Sequence, residues 1–214
     1  MRKTGVKRLF YASGSGVYGD TGLSDVAEDY SPKLPISTYG ASKLACEALI
    51  GAYCHMFGFS ASAFRFANVV GPQQTHGVGY DFVRRLIKDP HELQILGDGT
   101  QSKSYIYITD VIKAMRMLEK MALKGLTYYN VSTLDHINVK EIAGIVVDVM
   151  ALKHVRFVYM GGDRGWRGDV PVVRLNSDKI RSLGWSNVLT TKEAIYASVR
   201  SIYADINAGK FDQK

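Results

Sequence analysis

Tyr39 and Lys43 frame the segment Tyr39-Gly-Ala-Ser-Lys43, a phenol and an ammonium four residues apart. On a helix that spacing brings both side chains to one face, one turn apart. A lysine cation a few ångströms from a phenol oxygen favours the phenolate, lowering a pKa that otherwise lies near about 10. Such a tyrosine can take a proton near neutral pH, so the pair reads as a base with its tuning cation. The same spacing also arises by chance on many amphipathic helices, and the weight of the reading comes from the elements around it.

Those elements begin just upstream. Leu9-Phe-Tyr-Ala-Ser-Gly-Ser-Gly-Val-Tyr-Gly19 is an apolar strand that runs into small residues and then a turn. A helix from about Tyr39 to Phe57 comes next, with Ala45, Ala48, Ala52 and Met56 along one stripe and Gly58 as its stop. Residues 60 to 66 return as a strand. Tyr80 to Lys88 reads as a helix, and Leu93 to Leu96 and Ser104 to Ile108 as strands around the turn Gly97-Asp-Gly99. Asp110 is expected to cap another helix, and Tyr128 to Val131 to form a strand. Asn138 with Glu141, and Thr190 with Glu193, have the spacing of capping boxes, the first opening a helix that ends near Leu152. Strands alternating with helices predict an α/β fold with a parallel sheet covered by helices.

A strand ending in small residues, a turn and a YxxxK helix resemble the extended short-chain dehydrogenase/reductase family, within it the nucleotide-sugar epimerase/dehydratase branch. Arg65-Phe-Ala-Asn-Val-Val-Gly-Pro72, Gly97-Asp-Gly-Thr-Gln101, Tyr105-Ile-Tyr-Ile-Thr-Asp110, Gly168-Asp-Val170 and Leu183-Gly-Trp185 are similar to family segments in family order. The resemblance covers nearly the whole chain. It implies an NAD-dependent nucleotide-sugar epimerase, most like the UDP-glucose 4-epimerases, with NAD as cofactor and a nucleotide diphosphate sugar as substrate. Tyr39 and Lys43 match the base and the lysine that holds the nicotinamide ribose, and Ser13 and Phe66 match further cofactor contacts.

The family's third catalytic member is a serine or threonine three residues before the valine of the VYG turn, and here that place is Gly14. Ser13 and Ser15 flank the gap, and Ser15 is the favoured substitute. Asn68, Asp81, Lys103, Arg164 and Arg167 match positions that face the nucleotide sugar, with Lys103 standing where the family usually has arginine. His76 and Tyr80 lie where sugar selectivity would reside. Dehydration is disfavoured, because Ser15-Gly16 stand where that subgroup has Asp-Glu. A reductase on the same scaffold and a non-catalytic nucleotide-sugar-binding fragment are the alternatives.

Gly14-Ser-Gly-Val-Tyr-Gly19 also matches GxGxxG, the dinucleotide fingerprint. Such a turn must open a helix, whereas the next residues here are Asp20-Thr-Gly-Leu-Ser-Asp25, rich in turn formers. It is expected to be a decoy. By the family pattern, residues 1–72 are then the remaining part of an NAD-binding Rossmann domain whose first βαβαβ half is absent, leaving Gly5 as the end of a truncated helix. Residues 73–214 are mainly a substrate-binding lobe, with about 100–135 returning to the Rossmann sheet.

At 214 residues and 46% hydrophobic, the chain suits one ordinary domain, or one with a small appended lobe. No apolar run reaches the ~18 residues of a membrane span, and the N-terminus has no secretory apolar segment, so a cytoplasmic enzyme is expected. The net charge of +7 is spread through helices without a basic tail, which argues against nucleic acid and suits an anionic substrate. The five histidines are dispersed, so no metal site is indicated. Cys46 and Cys54 are about 12 Å apart along one helix, too far for a disulfide, and are expected to be reduced and buried. The resemblance implies a homodimer formed through the Tyr39 helix.

Overall fold

The structure is a computed structural model describing residues 1–210. In chain order the strands are β1 (Arg8–Gly14), β2 (Ser60–Phe66), β3 (Asn68–Val70), β4 (Glu92–Ile95), β5 (Ser102–Lys103), β6 (Tyr105–Tyr107), β7 (Gly125–Val131), β8 (Ile137–Asn138) and β9 (Arg156–Tyr159). The helices are α1 (Thr38–Phe57), α2 (Val78–Lys88), α3 (Ile108–Glu119), α4 (Val139–Val149), α5 (Asp178–Arg181) and α6 (Thr191–Asn207). They form two compact units. The first holds residues 1–67, 109–132 and 172–187, and the second holds 68–108, 133–171 and 188–214.

The first unit is built on a parallel sheet in the order β1-β2-β7. Its register pairs Leu9 with Ala61 and Ala61 with Leu126, so small and branched residues line up across three strands. Under α1 those three residues pack with Ile50, Cys54, Phe57 and Phe59. The helix starts where the Ser37 side chain accepts the Gly40 N–H, and it stops at Gly58, whose φ of 64° is the left-handed conformation that glycine adopts freely. Ahead of β1, Gly5 also has positive φ, 74°, after a turn closed by Thr4 N–H to the Met1 carbonyl.

The second unit packs α2, α4 and α6 around one apolar core that includes Phe82, Leu86, Ile142, Val146, Ile195 and Ile202. Short pairs surround it: β3 with β6 and β4 with β9, both parallel, and β5 with β8, antiparallel. Both expected capping boxes form, Asn138 with Glu141 and Thr190 with Glu193.

Four expectations need correction. The stripe Ala45, Ala48, Ala52 and Met56 faces outward, because α1 turns Gly40, Glu47 and Cys54 inward instead. Asp110 is no cap, since α3 already begins at Ile108 and leaves Asp110 buried in its first turn. The helix expected to reach Leu152 ends at Val149, before Ala151 takes a positive φ of 53°. Strand β9 has no counterpart among the expected elements, and it forms because Arg156 to Tyr159 have the edge of β4 to pair with. Of the two cysteines, both free, Cys54 is buried and Cys46 only half-buried.

Candidate active site

β1 runs out at Gly14 into a single 3₁₀ turn, Ser15–Val17, and no longer helix opens there. The GxGxxG match is therefore a strand-to-loop turn. α1 lies directly against it: a Cβ on Gly40 would fall 2.4 Å from the Gly16 carbonyl oxygen. Only glycine allows that approach, so the glycine inside Tyr39-Gly-Ala-Ser-Lys43 seats the start of the helix on the Ser15 turn.

The seat presents Tyr39 and Lys43 at the carboxyl end of the parallel strands, the end where open α/β sheets hold their ligands. Tyr39 is 62% exposed. Lys43 is half-buried, and its Nζ donates to the Ala12 carbonyl at 2.8 Å and lies 5.4 Å from the centre of the Tyr39 ring. That one bond leaves the ammonium two further donors. Gly14, in extended backbone with φ of −166°, has nothing within 4 Å of where a Cβ would be. The missing hydroxyl thus corresponds to open space rather than to a filled position.

Of the two flanking serines, Ser15 is half-buried in the turn, whereas Ser13 is buried and its Oγ donates to Glu47 Oε1 at 2.6 Å. Ser13 thus lies on the α1 side of β1, the side Tyr11 shares by strand alternation, and its hydroxyl is taken up by the Glu47 carboxylate. Phe66, at the end of β2, is buried with its ring stacked on Phe64 at 5.8 Å between centres.

Glu47 is part of a buried network that the motif reading missed. Arg65 meets it with two bonds, Nε to Oε1 at 3.0 Å and Nη2 to Oε2 at 2.7 Å. Arg65 also donates to the Tyr18 hydroxyl at 3.0 Å, which in turn donates to Asn130 Oδ1 at 2.7 Å. Burial pushes the Tyr18 phenol up to about 12, against the pull of the Arg65 cation. The signal available in the sequence was a charged residue inside the apolar run Ser60-Ala-Ser-Ala-Phe-Arg-Phe66, which must find a buried partner.

The remaining candidates lie in the second unit. Lys103 Nζ is ion-paired with Asp169 Oδ1, and Asp169 Oδ2 accepts the Gly165 N–H at 3.1 Å. Arg164 donates to the Asp169 carbonyl at 2.8 Å, so one aspartate gathers two of the three cations expected to face a diphosphate. Arg167 is exposed on the same loop. Asn68 opens β3 and donates from Nδ2 to the Ser104 carbonyl at 3.4 Å, while Asp81 is exposed in the first turn of α2. His76 is exposed and Tyr80 buried. Among the described residues no cluster of three or more metal-ligating side chains occurs, and no helix is long and apolar enough to cross a membrane.

Residues 1–132 match the NAD dependent epimerase/dehydratase family. The chain belongs to that family. It is 31% identical over 201 residues to a Methanocaldococcus jannaschii protein provisionally named a UDP-glucose 4-epimerase, covering 91% of this chain and 63% of that one. A human dTDP-D-glucose 4,6-dehydratase is 27% identical over 198 residues, covering 91% of this chain and 56% of it. A crystal structure of a UDP-galactose 4-epimerase superposes with a TM-score of 0.85 at 34% identity, covering 96% of this chain and 66% of that chain. The chain thus spans between about half and two thirds of the length of the curated relatives it matches. Its α/β architecture is that of these family members.

Proposed function

We propose that the chain carries the catalytic pair of a nucleotide-sugar epimerase acting at C4, most like a UDP-glucose 4-epimerase. The observation that carries this reading is the placement of exposed Tyr39 beside Lys43, whose ammonium is tied to the Ala12 carbonyl at the carboxyl end of β1. Tyr39 takes the proton of the sugar hydroxyl. Lys43, with two donors left, holds the ribose hydroxyls of the cofactor. Ser15 on the adjoining turn bonds the reacting hydroxyl in place of the absent Gly14 side chain. NAD, when bound, supplies the hydride acceptor that takes hydrogen from C4 and returns it to the opposite face.

Tyr39, Lys43 and the open space at Gly14 fit the nicotinamide-ribose end of NAD. A glycine-rich turn opening a helix, which would hold the pyrophosphate, is not among the described residues. In this proposal those contacts come from sequence outside the 214 residues, and the chain works together with it. Lys103, Arg164 and Arg167 are the proposed contacts for the sugar diphosphate, with Asn68 and Asp81 for its polar groups. Leu49, Tyr53 and Met56 are exposed on the outer face of α1, which supports a homodimer formed through this helix. Two free cysteines suit a reducing, cytoplasmic setting.

A second reading, nucleotide-sugar binding without turnover, is favoured by Gly14 and by the lack of a glycine-rich turn opening a helix among the described residues. Interconversion of UDP-glucose and UDP-galactose with added NAD⁺ separates the two. Conversion without accumulation of NADH supports the epimerase; UDP-sugar binding with no conversion, once the chain is joined to its pyrophosphate-binding half, supports the second. Net oxidation of NADH supplied with the sugar nucleotide would point instead to a reductase.

A further inference from the structure

Lys43 has a neighbour that the proposed chemistry does not use. Its Nζ lies 5.4 Å from the centre of the Tyr11 ring, the same distance as from the Tyr39 ring. Both fall within the roughly 6 Å reach of a cation–π contact. Tyr11 comes from β1 and Tyr39 from α1, and the Ala12 carbonyl supplies the third hold at 2.8 Å. The ammonium is therefore gripped from strand and helix together.

Tyr11 is itself fixed. The ring is half-buried, and burial together with a hydrogen bond to Cys46 pushes its phenol well above the usual tyrosine range. It stays neutral wherever the enzyme could work, so it offers Lys43 a ring face and never a competing phenolate. A lysine side chain is a flexible four-carbon stem with much rotamer freedom to lose, which makes a second wall consequential.

We propose that Tyr11 is a positioning residue that holds the Lys43 ammonium against Tyr39 and the Ala12 carbonyl, fixing the direction of its two remaining N–H donors. The inference rests on the role proposed above for Lys43 and deepens it.

The test begins on the chain itself, by reductive ¹³C-methylation of its lysines, which keeps the charge and one N–H on each amine. The Lys43 methyl resonance is identified by its loss in Lys43→Arg. It is expected upfield of unstacked lysines, with nuclear Overhauser contacts to the Tyr11 ring. Tyr11→Leu is expected to move it toward the unstacked position, and Tyr11→Phe, which keeps the ring, to leave it. In the complete enzyme Tyr11→Leu is expected to lower kcat about tenfold with KM for the sugar nucleotide unchanged, and Tyr11→Phe to stay within about twofold of wild type.

A Lys43 resonance without contacts to Tyr11 overturns the proposal, as does one indifferent to Tyr11→Leu. An unchanged kcat in Tyr11→Leu overturns it as well. Should Tyr11→Leu fail to fold, the contacts in the wild-type chain decide. If wild type shows no turnover, the epimerase reading fails, while the resonance still decides whether Tyr11 holds Lys43.

Discussion

Glu47 and Arg65 form a two-bonded ion pair, 3.0 and 2.7 Å, with both residues only 1% exposed. The pair joins α1 to β2, and Ser13 at the end of β1 leans on the same carboxylate. Removing one partner strands a buried charge, which costs about 3–5 kcal/mol. Glu47→Leu is therefore expected to lower unfolding free energy by that amount in urea titration. The double variant Glu47→Leu/Arg65→Met should recover most of the loss, since two apolar groups of similar volume leave no charge behind. A double variant no more stable than the single one would mean the pair contributes more than mutual neutralisation.

Tyr18 gives the fold an alkaline limit. Its folded-state pKa, about 12, lies above the ordinary value of 10.0. The folded chain thus holds the phenol proton more tightly, and this contribution is fully present below pH 10 and is lost as pH rises toward 12. Wild type is expected to lose stability across that window, by something on the order of 2 kcal/mol from this residue. Tyr18→Phe should flatten the slope of stability against pH between 10 and 12. An identical slope would show that other groups set the limit.

Tyr39 is the residue on which proposed turnover depends, and its 62% exposure means little packing is lost with its hydroxyl. Tyr39→Phe is expected to reduce turnover by about 10²–10⁴ in the complete enzyme while leaving thermal unfolding within a degree or two. Appreciable residual epimerisation would remove Tyr39 from the chemistry.

Gly14 can be given the side chain it lacks. Its φ of −166° suits any residue, and nothing stands within 4 Å of an added Cβ. Gly14→Ser is expected to raise turnover about tenfold, the worth of one good hydrogen bond in the transition state, at no cost in stability. Ser15→Ala should lower turnover in wild type and have little effect in Gly14→Ser. A Ser15→Ala variant as active as wild type would show that Ser15 does not fill the role.

Gly40 carries the opposite constraint. An added Cβ would lie 2.4 Å from the Gly16 carbonyl oxygen, so backbone must move. Gly40→Ala is expected to destabilise by about 1–3 kcal/mol and to shift the start of α1 away from the Ser15 turn, which amide chemical shifts of residues 13–18 would register. Unperturbed shifts would mean the helix start is looser than this contact implies.

Much of the fold could be read from local chemistry. The capping boxes at Asn138 and Thr190 and the stop at Gly58 are short-range signals, and each appears where expected. The decoy at Gly14 to Gly19 was legible for the same reason, because the turn formers from Asp20 to Asp25 cannot continue a helix. Long-range pairing was not. The inward face of α1 is set by Arg65, which lies 18 positions from Glu47, and a stripe of alanines on α1 gave no hint of it. Strand β9 owes its existence to the edge of β4, more than sixty residues earlier. Of the candidate site, Tyr39 and Lys43 follow from one helical turn, whereas the inward turn of Ser13 and the hold of Asp169 on Lys103 depend on contacts that no local pattern encodes.

The most direct test of epimerisation through Tyr39 uses a deuterium label. UDP-galactose deuterated at C4 is incubated with the complete enzyme and NAD⁺, and the UDP-glucose formed is analysed for label and for any accompanying NADH. The expected result is UDP-glucose that keeps its deuterium at C4, no net NADH, and no conversion by Tyr39→Phe. Label lost to solvent, stoichiometric NADH, or conversion that survives Tyr39→Phe would contradict the proposed mechanism.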